Sequence, residues 1–133
     1  MKKTKILLVD DEMDLITIIG KRIREWGYDL LEASGGKEAA NIVKSGRADI
    51  VILDYMMPGM DGIETLREIR KLNKEIPVIM FTAFPDKTSI EGTEALGVSA
   101  YIPKLSMFPT GESALKTALK MSEKKINKGD VSV

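Results

Sequence analysis

The 133-residue chain contains no histidine and no cysteine. Without histidine it has no His-dependent triad, no imidazole general base, no ordinary zinc site and no phosphohistidine of its own. Without cysteine it has no disulfide framework and no thiolate chemistry, which agrees with a cytoplasmic protein. Net charge is missing as well: 20 Lys and Arg balance 20 Asp and Glu. No global field therefore draws the chain directly to nucleic acid or to an anionic membrane. No apolar run approaches the roughly 20 residues that span a bilayer. The opening MKKTKILLVDDE is cut by acids too early to be a signal peptide. Internal repeats and low-complexity linkers are also absent. What remains is an ordinary globular composition, 44% hydrophobic and 30% charged, in a length that suits one cored domain. That domain is expected over 1–122, with 123–133 a polar tail that frays or begins a linker.

The chain is organised around ADIVILDYMMPGMDG (48–62). Ile50 to Leu53 is an apolar, β-branched run with no polar face, as a strand buried on both sides of a parallel sheet requires. It stops at Asp54, and Pro58 with two glycines makes the following stretch a loop. The same form recurs at Lys5 to Val9, ending in Asp10-Asp11-Glu12, and at Pro77 to Phe81, ending in Thr82. Two briefer strands are expected at Asp29 to Ala33 and at Ala100 to Pro103, the latter ending in Lys104. Between them run helical patterns. Leu15, Ile16, Ile19, Ile23 and Trp26 precede a stop at Gly27, and Ala39, Ala40 and Val43 form a short helix. Ile63, Leu66 and Ile69 follow an Asp61–Glu64 capping pair. A poorly made helix over 86–96 carries Thr88, Ser89, Gly92 and Thr93. A last helix turns Ala114, Leu115, Ala118 and Leu119 inward. Five strands alternating with five helices predict a doubly wound α/β fold with a parallel sheet.

Parallel strands align their C-terminal ends, so Asp10, Asp11, Asp54, Thr82 and Lys104 fall on one edge. With strand order 2-1-3-4-5 the first and third strands meet at the switch point, where ligands bind. Three carboxylates together repel one another unless a hard cation such as Mg²⁺ sits among them. Metal, Lys104 and the Thr82 hydroxyl would then stabilise a phosphoryl oxyanion. Asp can attack phosphorus to form an aspartyl phosphate. Taken singly each residue has an ordinary reading: a strand-end cap, a helix-start acidic pair, a loop hydroxyl, a surface lysine. Four strand ends carrying one chemistry do not.

LLVDDE (7–12), GYDLLEA (27–33), ADIVILDYMMPGMDGIETLREIR (48–70), PVIMFTA (77–83) and YIPK (101–104) together resemble the receiver domains of two-component response regulators. The resemblance covers 5–122. It implies a flavodoxin-like, CheY-like (βα)5 fold and a phosphoacceptor switch in place of a turnover enzyme. On that resemblance a sensor histidine kinase or a His phosphotransfer protein passes a phosphoryl group to Asp54. Asp11 ligates Mg²⁺ directly, Asp10 acts mostly through water, and Asp54 and the Met56 carbonyl complete the protein ligands. Thr82 and Lys104 bind phosphoryl oxygens, Tyr101 is the switch aromatic, and Met56 and Phe84 flank the path of a hydrolytic water. A downstream effector or a further output domain receives the signal, and a phosphorylation-dependent dimer is among the assemblies implied.

One departure stands out. The family's lysine is usually followed by a cis-linked proline, whereas here Leu105 follows, and a cis bond there would cost about 2.5–4 kcal/mol. Among rivals, a haloacid dehalogenase-type phosphatase needs a second acid where Met56 stands. A flavodoxin-type cofactor site needs a phosphate loop where DDEMD is acidic. A dinucleotide fold needs GxGxxG. A phosphorylation-independent interaction module on the same fold has no need of the acids, Thr82 and Lys104, and all of them are present.

Overall fold

The computed structural model describes residues 3–55, 61–82, 87–103 and 112–131. Met56, Phe84, Lys104 and Leu105 lie outside the described residues. Five strands, β1 (Lys5–Val9), β2 (Asp29–Ala33), β3 (Ile50–Asp54), β4 (Val78–Thr82) and β5 (Ala100–Pro103), alternate with five helices. These are α1 (Met13–Glu25), α2 (Gly36–Lys44), α3 (Gly62–Leu72), α4 (Lys87–Ala95) and α5 (Glu112–Val131). All strand pairs are parallel, as the alternating pattern predicts, and the order is β2-β1-β3-β4-β5, as the family resemblance implies. Three strand bounds move. Asp54 and Thr82 belong to their strands, and β4 begins at Val78 because Pro77 has no N–H to give a ladder.

Side chains alternate across the sheet and divide the core in two. Ile6, Leu8, Ile50, Ile52, Ile79 and Phe81 face Ile16, Ile19 and Ile23 of α1 and Leu115 and Leu119 of α5. Leu7, Val9, Val51, Leu53, Val78 and Met80 face Ala39, Ile42 and Val43 of α2 and Leu66 and Ile69 of α3. One helical expectation needs correction. Ala114 is exposed. The inward stripe of α5 is Leu115, Leu119 and Ser122, with Ala118 and Ile126 partly buried beside it. Ala114 instead lines an open groove along β5.

Glycine and aspartate end and begin helices as their chemistry dictates. Gly27 takes φ +97 beyond α1, and its N–H and that of Tyr28 bond back to Arg24 and Ile23. The Asp61 side chain accepts from the Glu64 N–H at 2.9 Å to start α3, a cap worth about 1 kcal/mol.

The polar run after 122 is helical through Val131. Ile126 reaches the core, and Thr4 donates its hydroxyl proton to Glu123. That same carboxylate lies near the buried phenol of Tyr28. Burial first, and then Glu123, push the Tyr28 pKa above its ordinary 10.0. A phenol kept neutral by the fold contributes stability that is intact below pH 10 and lost as pH climbs through its raised value. Alkaline unfolding should therefore be milder in Glu123→Gln, with the Tyr28 phenolate forming at lower pH. Absorbance titration reads this directly, and an unmoved titration would remove Glu123 from the account.

Candidate functional site

The pairing of Val9 with Leu53 sets Asp10 and Asp54 side by side, one step beyond, on the α1 face of the sheet. Asp10 still belongs to the ladder, since its N–H bonds the Ala33 carbonyl at 3.1 Å. Both carboxylates are buried, each 2% exposed. They share a tight recess with Leu15, Ile16, Ile19, Ile52 and Phe81. Apolar walls on that scale keep the field of the acids unscreened.

A third acid joins them. Carboxylate oxygens of Asp10, Glu12 and Asp54 lie within 4.8 Å of one another. The Glu12 N–H also donates to Asp10 Oδ1 at 2.9 Å, so the turn into α1 orients the Asp10 carboxylate. Glu12 was not singled out from sequence, where an acid opening a helix reads as a dipole partner. Asp11 is exposed and is not one of the three. An all-oxygen, triply anionic set suits a hard divalent cation and offers nothing to a soft one.

Thr82 ends β4 fully buried. Its neighbour Phe81 pairs with Asp54 across the sheet, which places Thr82 one residue further along the same edge. Tyr101 on β5 is half-buried against Met80 and the α2–α3 side of the core. Lys104 and Met56, the remaining expected site residues, lie outside the described residues.

Gly62 is a site residue that sequence alone did not single out. A Cβ there would meet Tyr55 Cα at 2.6 Å and the Asp54 carbonyl oxygen at 3.0 Å. The Gly62 N–H donates to the Tyr55 carbonyl at 2.8 Å. The start of α3 thus rests on the backbone that carries the central aspartate. A glycine as first helical residue, where Pro is more usual, was the available signal.

Relatives carry the same architecture. The chain is 38% identical over 125 residues to the Probable transcriptional regulator ycf27 of Porphyridium aerugineum, covering 93% of this chain and 51% of that protein. It therefore spans about half the length of that curated relative. It is 35% identical over 104 residues to Sporulation initiation phosphotransferase F of Bacillus subtilis, covering 78% of this chain and 84% of that one. In fold it is similar to the receiver domain of sensor histidine kinase PA1611 of Pseudomonas aeruginosa, with a TM-score of 0.78 and 24% identity. That match covers 92% of this chain and 99% of the other, which is described with magnesium coordinated in its active site cleft. A family model, response regulator receiver domain, matches residues 6–120, from the first strand into the last helix. With acids at the switch point of that fold, the chain belongs to the response regulator receiver domain family.

Proposed function

We propose that Asp54 accepts a phosphoryl group from a partner's phosphohistidine and that the domain switches its partner surface in response. Phosphorylation-dependent switching is the function of the family, whose members are not classical enzymes. The observation that carries the assignment is the convergence of Asp54 with Asp10 and Glu12 at the sheet edge. An Asp54 oxygen forms the new P–O bond while the donor's P–N bond breaks and its electron pair returns to the imidazole. The Thr82 hydroxyl donates to a phosphoryl oxygen, and Lys104 supplies a cation to another. The product adds roughly one negative charge and new acceptor oxygens beside Thr82. The loop after β4 and the weakly made α4 then respond.

The donor set fits Mg²⁺, the ion described in the PA1611 receiver domain. When bound, the ion offsets the charge that carboxylates and phosphoryl group bring together. By the family resemblance Asp11, Asp54 and the Met56 carbonyl would hold it directly and Asp10 through water, while the carboxylates that converge beside Asp54 are those of Asp10 and Glu12, which makes Glu12 a competing direct ligand. Asp11→Ala should then weaken Mg²⁺ binding more than Asp10→Ala or Glu12→Ala does, by calorimetry. The largest loss in Glu12→Ala would transfer the direct ligand role to Glu12.

The donor is a sensor histidine kinase or His phosphotransfer protein, and the recipient of the signal is an effector or output domain. A cytoplasmic setting completes the reading, and the receiver unit expected over 1–122 is extended by the rest of α5, where Glu123 bonds Thr4 and Ile126 packs on the core. The test is intact mass after incubation with acetyl phosphate. One phosphoryl group should appear with Mg²⁺ and none with chelator. Equal uptake in both would sink the metal-dependent assignment.

A further inference from the structure

Helix α4 is nine residues long, has no acid in its first turn and includes Thr88, Ser89, Gly92 and Thr93. Such a helix is marginal by itself. Its C-terminal end is nevertheless firmly built. Gly97 takes φ +73, its N–H bonds the Glu94 carbonyl at 3.0 Å, and the Val98 N–H reaches the Thr93 carbonyl at 3.4 Å. That is the Schellman arrangement, and it leaves later carbonyls to be satisfied from elsewhere.

Arg70, in the last turn of α3, satisfies them. Its Nε donates to the Leu96 carbonyl at 2.8 Å and its Nη2 to the Gly97 carbonyl at 3.0 Å. Its Nη1 donates to the carbonyls of Ile76 at 2.7 Å and Asn73 at 3.3 Å. One planar fork therefore joins the end of α3, the approach to β4 and the end of α4. A lysine, with a compact ammonium, cannot span all of these. Burial lowers the Arg70 pKa, because withdrawal from water disfavours the charged form, and the four carbonyls it meets work against that loss. The middle of α4 also rests on α3: a Cβ at Gly92 would lie 2.7 Å from Ile63 Cδ1. Beneath, Leu66 and Ile69 anchor α3 in the core.

We propose that Arg70 is a positioning residue for the switch, holding the C-terminal end of α4 as a fixed pivot while the end nearer Thr82 responds to phosphorylation. This rests on the phosphoacceptor reading of Asp54. A helix restrained at one end changes population at the other, where opening requires less free energy.

The experiment is amide exchange on the full chain, with and without acetyl phosphate and Mg²⁺. In the wild type, phosphorylation should change exchange in 87–91 by about tenfold and in 94–98 by under about twofold. Arg70→Gln should speed exchange in 94–98 by about tenfold before any phosphorylation, with 36–44 unchanged. Arg70→Lys should fall between. Phosphoryl uptake by mass should match wild type in both variants, which separates a positioning role from loss of the acceptor site. Equal change at both ends of α4 in the phosphorylated wild type would overturn the pivot. So would unaltered protection of 94–98 in Arg70→Gln, or in Arg70→Lys if the glutamine variant does not fold. Absence of any mass gain in wild type would instead overturn the Asp54 reading and the pivot's trigger. The unphosphorylated comparison would still decide whether Arg70 clamps the helix end.

Discussion

Asp54→Asn should abolish the uptake of a phosphoryl group from acetyl phosphate in saturating Mg²⁺. The substitution keeps shape and hydrogen-bonding reach, so the 2%-exposed position is not left as a cavity. What it removes is the anionic oxygen that attacks phosphorus, and an amide is no substitute. It also removes one of three carboxylates lying within 4.8 Å of one another. Two such charges repel by a few kcal/mol at most, taking an effective dielectric of roughly 20. Metal-free Asp54→Asn should accordingly be more stable than wild type, by about 1 kcal/mol. The paired result is diagnostic: chemistry lost while stability is kept or gained. A mutant that gained the same mass under the same conditions would move the acceptor to another residue.

The same numbers explain what could be read from sequence. Strand ends were legible because each apolar run is broken by a polar residue. Val9 gives way to Asp10, Leu53 to Asp54 and Phe81 to Thr82, and only a buried parallel sheet makes such breaks coincide. Parallel pairing was legible from the alternation, whereas the order 2-1-3-4-5 came with the family resemblance, since more than one doubly wound order fits the same alternation. Contacts between distant segments were not legible. Arg70 reads as a solvated cation closing a helix, yet two of its partners lie 26 and 27 residues away. The run after 122 reads as a polar tail, because its tie from Thr4 to Glu123 spans 119 residues. Glu12 fell between these cases. Its charge was plain, but its approach to Asp54 depends on a turn closed by its own N–H on Asp10.

Gly62→Ala should cost about 2–3 kcal/mol of stability and slow phosphoryl uptake by about tenfold, or roughly 1.4 kcal/mol in the barrier. Two effects of opposite sign compete. Alanine is the better helix former by about 1 kcal/mol, and replacing a helical glycine also reduces the entropy of the unfolded chain. Against this stands a Cβ 2.6 Å from Tyr55 Cα and 3.0 Å from the Asp54 carbonyl oxygen. Those are backbone atoms, so no rotamer change relieves the overlap. Either α3 lifts away from β3 or the Asp54–Tyr55 segment is displaced. The first exposes Leu66 and Ile69, now fully buried. The second strains the 2.8 Å bond from the Gly62 N–H to the Tyr55 carbonyl and moves the acceptor from its place beside Asp10. Overlap therefore outweighs propensity, and both stability and transfer suffer. Gly35→Ala is the control. That glycine is the N-cap preceding α2, in extended conformation, with nothing within 4 Å of its would-be Cβ. It should lose no more than about 1 kcal/mol as an N-cap change and leave transfer unaffected. Denaturant midpoints and phosphorylation time courses for the two variants decide the matter. A neutral or stabilised Gly62→Ala would mean that the approach of α3 to the acceptor backbone is not constrained by glycine.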